Sequence, residues 1–173
     1  PAKPWATEAE RVNLTTQPRG QPQESVFLKE KEHGWSGALT LPRELYLKGD
    51  HLYMRPVEEL KSLRIDEGKH EEYTLSEPIK LLQGKHQAEV NLKMLASDFI
   101  LNLKNQQGDL LSLEFDSEFQ KFKLHRYDIG DYRYATIQTT ETLDLQIYID
   151  TSSIEIFINE GEAVFTERYY SET

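Results

Sequence analysis

Leu143-Asp144-Leu145-Gln146-Ile147-Tyr148-Ile149-Asp150, the break Thr151-Ser152-Ser153, and Ile154-Glu155-Ile156-Phe157-Ile158 form the stretch that decides the fold. Apolar residues occupy every second position on both sides of the break. A period of two places Leu143, Leu145, Ile147 and Ile149 on one face of a strand, and Ile154, Ile156 and Ile158 on one face of the next. Asp, Ser and Thr suit the break because their side chains bond nearby backbone groups. The two arms therefore read as an antiparallel hairpin in a half-buried sheet, with Glu155, Phe157 and Asn159 on its other face. Asn159-Glu160-Gly161 supplies another turn, and Ala163-Val164-Phe165 begins a further strand.

The same pattern extends towards the N-terminus. Phe99, Leu101 and Leu103 alternate, Asn105-Gln106-Gln107-Gly108 turns the chain, and Leu111, Leu113 and Phe115 return. Phe122 and Leu124 continue it, and Ala88, Val90 and Leu92 form one more set. Only Pro56 to Arg64 reads as helix: Pro56 suits a first helical turn, and Val57, Leu60 and Leu63 share a face. Many short strands with frequent turns indicate an all-β fold, a two-sheet antiparallel β-sandwich with one short helix. Residues 1–33 are polar and hold Pro1, Pro4, Pro18 and Pro22, with only Val26-Phe27-Leu28 strand-like. They read as an N-terminal extension or linker, or a strap on the surface of a β-sandwich domain spanning 34–173. The opening Pro1-Ala2-Lys3-Pro4-Trp5 has neither a starting Met nor a secretory apolar region, and reads as the cut end of something longer.

The chain has 173 residues, enough for one domain with a sizeable core. Its 20 basic and 30 acidic residues give a formal net charge of -10, which repels nucleic acid and anionic membranes. No apolar run approaches the roughly 20 residues that span a bilayer. The absence of Cys rules out disulfides and thiolate sites and fits the cytoplasm. His33, His51, His70, His86 and His125 are scattered without ligand spacing, so neither a metal nor another cofactor is expected.

Three segments invite a chemical reading. Glu114-Phe115-Asp116-Ser117-Glu118 places three carboxylates at alternate strand positions and resembles the E-x-D-x-E pattern of β-glucanases. A retaining glycosidase needs its two carboxyl groups roughly 5 to 5.5 Å apart. Four strand residues separate Cα atoms by roughly 13 Å, so the outer pair would need a bulge. A solvated strand end explains the triplet better. Asp150-Thr151-Ser152-Ser153 is explained by turn chemistry. Trp35-Ser36-Gly37 with Arg43-Glu44 has two readings. One is a sugar-stacking platform or interdomain anchor made of Trp35, Arg43 and Glu44; the other is a core Trp with an ion pair beside it.

Two segments resemble glycoside hydrolase family 32: Gly34-Trp35-Ser36-Gly37-Ala38-Leu39-Thr40-Leu41-Pro42-Arg43-Glu44-Leu45, and Asp150 through Thr166. Pro56-Val57-Glu58-Glu59-Leu60 and Leu63-Arg64 fit between them. The first is similar to the handover from that family's propeller to its C-terminal sandwich, the second to the sandwich's closing hairpin. The likeness covers about residues 34 to 170 and is nearest to bacterial sucrose-6-phosphate hydrolases and related invertases. It implies a concanavalin-like jelly roll attached to a five-bladed catalytic β-propeller. The family's three acidic residues lie in Asn-Asp-Pro, Glu-Cys and Arg-Asp-Pro motifs, and none has a counterpart here, since the chain contains no Asp-Pro dipeptide and no Cys. The resemblance thus implies a non-catalytic accessory domain of a β-fructofuranosidase, with the propeller as partner and a homodimer as a further arrangement. A carbohydrate-binding module for fructans or sucrose-type sugars, using Trp35 and exposed Tyr residues, is the alternative. An autonomous glycosidase using Glu114 and Glu118 is the third.

Overall fold

The computed structural model describes residues 39–65, 68, 71–73, 77–128 and 130–169. The extension 1–33, its boundary with the sandwich and Trp35 lie outside the described residues. Ten strands follow in order: β1 (Arg43–Lys48), β2 (His51–Pro56), β3 (Ala88–Leu95), β4 (Phe99–Asn105), β5 (Gly108–Asp116), β6 (Lys121–Arg126), β7 (Asp131–Thr136), β8 (Thr142–Asp150), β9 (Ser153–Ile158) and β10 (Ala163–Arg168). They form two four-stranded antiparallel sheets, ordered β10-β9-β8-β3 and β4-β5-β6-β7, plus the separate hairpin β1-β2. The all-β sandwich expected from the strand period is the fold observed.

Register follows the apolar set. Leu145 faces Ile158, Ile147 faces Ile156 and Ile149 faces Ile154 across β8-β9. In the other sheet Leu113 faces Leu124 and Phe115 faces Phe122. The inward faces of both sheets meet in one core with Leu111, Leu143, Leu145, Ile156 and Phe165 among its buried members. Phe115 and Phe122 pack as a tilted pair with centroids 4.6 Å apart. Each large side chain so buried is worth about 1.5–3 kcal/mol, whereas an exposed ion pair gives roughly 0–1 kcal/mol. A one-residue slip would expose the whole set, so packing outweighs surface charge in setting the register.

The stretch expected to be helical forms a six-residue 3-10 helix, Glu58–Leu63. Val57, the preceding residue, has no side-chain cap, and its N–H donates to the Pro42 carbonyl at 3.1 Å. So short a segment gains little from α-helical bonding, and three residues per turn still align Val57, Leu60 and Leu63.

One expectation about the deciding hairpin is corrected. Glu155 and Phe157 should lie on a half-solvated face, yet they are only 5% and 1% exposed. The segment from Leu41 through β2 crosses the outer face of β9 and β10 and forms a local third layer.

Candidate functional site

The third layer is held first by charge. Arg43 donates from Nη2 to Glu155 Oε2 and to Thr166 Oγ1, each at 2.5 Å. Glu155 Oε1 accepts the Leu41 N–H at 2.7 Å. The guanidinium also sits 5.2 Å from the centre of the Phe157 ring. Glu155 and Thr166 face one another across β9-β10 on the outer side, which is why one Arg reaches both. Arg43 and Glu44 do not pair with each other, because adjacent strand residues point to opposite faces. Glu44 instead accepts from Arg55, its partner across β1-β2, at 2.8 Å.

The hairpin is held next by the turn between β9 and β10. Asn159, Glu160 and Gly161 all have positive φ, at 50°, 61° and 90°. Left-handed residues in a row let the chain reverse tightly, and only at glycine is this free of steric cost. A Cβ on Gly161 would lie 1.8 Å from the Met54 carbonyl oxygen, so the hairpin backbone rests directly on this residue. Tyr46 Oη donates to the Glu160 carbonyl at 3.2 Å, and His51 Nε2 bonds the Glu162 carbonyl at 2.8 Å. Glu162 accepts the Gln138 N–H at 2.5 Å, and Asn159 Oδ1 accepts the Asp144 N–H at 3.1 Å. Beside the turn runs a groove of about 620 Å³, lined by Lys48, Tyr53, Lys93, Thr140 and Asp144 among others. On its wall the Asp144 carboxylate pairs with Lys93 at 3.5 Å.

The carboxylates singled out in the sequence do not converge. Glu114 lies on the outer face of β5, paired with Lys123 at 3.0 Å. Asp116 Oδ1 accepts the N–H groups of Glu118 and Phe119, at 3.0 and 3.1 Å, and so closes the β5-β6 turn. Asp150 likewise accepts the Thr151 N–H at 2.7 Å in the β8-β9 turn.

Glu89 and Glu167 are among the carboxyl groups with displaced pKa values, and neither was remarked in the sequence. Hydrogen bonds from Arg64, above all, draw Glu89 from an ordinary 4.5 to about 2 against the opposing effect of its burial, with Gln146 and Asn91 assisting. Glu167 moves the other way. Burial raises its pKa although Arg126 and Arg133 lie 3.5 and 3.4 Å away. It sits on the inward side of β10, where an ion cluster closes the gap to β7. Its side chain is 7% exposed, so it is a closure of the sandwich edge rather than an accessible acid. Among the described residues, no group of three or more His, Cys, Asp or Glu side chains is placed to hold a metal ion.

The second sheet exposes a different surface. Tyr132 and Tyr134 alternate along the outer side of β7 at 44% and 57% exposure. The family model for glycosyl hydrolases family 32 C terminal matches residues 59–173, which contain both sheets. The chain belongs to glycoside hydrolase family 32. It is 34% identical over 148 residues to a sucrose-6-phosphate hydrolase of Escherichia coli, covering 83% of this chain and 31% of that protein. Among solved structures, the sucrose-6-phosphate hydrolase of Lactobacillus gasseri superposes with a TM-score of 0.67 at 29% identity, covering 83% of this chain and 31% of that one. A GH32 beta-fructofuranosidase of Bombyx mori superposes with a TM-score of 0.72 at 29% identity, covering 89% and 32%. The chain thus spans about a third of the length of these family 32 relatives.

Proposed function

We propose that this chain is the non-catalytic C-terminal β-sandwich of a sucrose-6-phosphate hydrolase-like β-fructofuranosidase, and that it supports a catalytic propeller domain. The observation that carries the reading is a match to the C-terminal model of a hydrolase family in a chain that contains neither an Asp-Pro dipeptide nor a Cys. The acidic triplet supports it further, since Glu114 is spent on an ion pair and Asp116 on a turn.

The surface for the propeller is the part of the third layer that β9 and β10 leave uncovered, with the segment after it. Leu39, Leu47, Leu52, Leu63 and Ile65 are exposed there, at 85%, 73%, 48%, 72% and 102%. Leu47 and Leu52 face each other across β1-β2. Exposed aliphatic side chains set side by side, as Leu47 and Leu52 are, mark an interaction surface more than a solvated one. Arg43 lies beneath this layer and secures it, while Glu44 and Trp35 are the residues through which the anchor would meet a neighbouring domain. The reading carries cytoplasmic residence with it, on the lack of cysteine.

The test is a fructosidase assay on this chain with sucrose and sucrose 6-phosphate. No turnover is expected, and robust hydrolysis would overturn the proposal.

A further inference from the structure

The outer face of the β4-β7 sheet is built as two rows. Tyr132 on β7 faces His125 on β6, which faces Ser112 on β5. Tyr134 faces Lys123, which faces Glu114. The rings are pre-set: His125 stacks on Tyr132 at 4.3 Å with planes 11° apart, and Tyr127 leans against His125 at 4.2 Å. Lys121 Nζ lies 4.4 Å from the Tyr134 ring centre, and Lys123 Nζ lies 5.2 Å from that of Tyr132. Two exposed tyrosines two residues apart on one strand stand roughly 7 Å from each other, on the edge strand of the sheet.

We propose that this face is a binding platform for an uncharged oligosaccharide, with successive sugar rings laid on Tyr132 and Tyr134. Three features choose the ligand. The face offers aromatic rings and hydrogen-bonding side chains, with Ile100 as its large exposed aliphatic residue, so it is poorly suited to an aliphatic partner or a lipid surface. Its charges cancel, Lys121 and Lys123 against Glu114 and Asp116, and the chain as a whole carries -10, which together favour a neutral ligand over an acidic one. The rings are already ordered by stacking and by cations, so little side-chain freedom remains to be lost on binding. The hydroxyls of Tyr132 and Tyr134 accept and donate no hydrogen bond among the described residues, which leaves both available to sugar hydroxyls. The choice of a fructan as first probe rests on the family 32 reading; the platform itself does not.

Calorimetric titration of this chain with nystose, and separately with maltotetraose, tests the proposal. Saturable binding of nystose is expected, weakened about tenfold by Tyr134→Ala and abolished in the Tyr132→Ala, Tyr134→Ala double variant, while Tyr134→Phe keeps most of it. Amide NMR shifts on adding nystose to the unaltered chain should map to β6 and β7, a readout that does not depend on whether the variants fold. Three results overturn the proposal: no saturable binding of either sugar, unchanged binding in a folded double variant, or shifts confined to other strands. Self-association lost in the double variant without sugar binding would make the face a dimer contact instead, which also overturns it. The fructosidase assay bears on the parent's chemistry alone, so the two readings fail separately.

Discussion

Arg43 and Glu155 lie 112 residues apart and share a 2.5 Å charge-assisted hydrogen bond with both side chains buried. The pair couples the entry of the sandwich to its closing hairpin. Removing one partner leaves an uncompensated buried charge, a loss of about 3–5 kcal/mol, whereas replacing both by apolar groups of similar volume is far milder. Glu155→Leu alone should therefore destabilise strongly in urea unfolding. The Arg43→Met, Glu155→Leu double variant should recover most of that loss. Equal losses in the single and double variants would refute this account.

Gly161→Ala should loosen the third layer specifically. The new Cβ meets the Met54 carbonyl at a distance no real contact allows, and the residue sits at φ 90°. The expected loss is about 2 kcal/mol or more, the combined effect of the clash and an unfavourable backbone region. Hydrogen exchange should quicken in β1 and β2 while β5 and β6 keep their protection. Uniform quickening across both sheets would show that the hairpin is not a separate layer.

The central strands were legible because their inward residues are aliphatic or aromatic at every second position. β7 was not. Its sequence Asp-Tyr-Arg-Tyr-Ala-Thr alternates between polar residues and tyrosine, and Arg133 can take an inward position because Asp131 on its own strand and Glu167 on the opposite sheet pair with it. Glu155 misled for a related reason. A carboxylate in a period-two strand reads as the wet face, and nothing local reveals the arginine from a distant strap that dries it. The Asn159-Glu160-Gly161 turn was visible from residue types, but the backbone resting on Gly161 is a tertiary fact. The outer face of β6 and β7 was glimpsed only as exposed tyrosine. Stacking of Tyr132 on His125 depends on a β6-β7 register that composition does not specify.

Glu89 should give the chain part of its acid sensitivity. A folded-state pKa of about 2, below the ordinary 4.5, means its contribution is present above about pH 5 and fades as pH falls towards 2. Because the site is partly open to solvent, the effect is about 1 kcal/mol rather than the full shift. Glu89→Gln should lower thermal stability at pH 7, and the two chains should converge near pH 2. A gap that persists unchanged at pH 2 would mean that packing, not charge, ties Arg64 to β3.

Glu167 should behave in the opposite sense. Burial disfavours its ionised form, and the two arginines only partly compensate. Its folded pKa lies above the unfolded one, so its contribution to stability grows as pH falls through the folded value and is weakest at neutral pH. Carboxyl-carbon NMR should place its titration above that of the exposed glutamates. Arg133→Ala removes one of the charges that hold the value down, and should push the midpoint higher still. A midpoint at or below the ordinary glutamate range would show that the arginines dominate and that the edge of the sandwich is wetter than its packing implies.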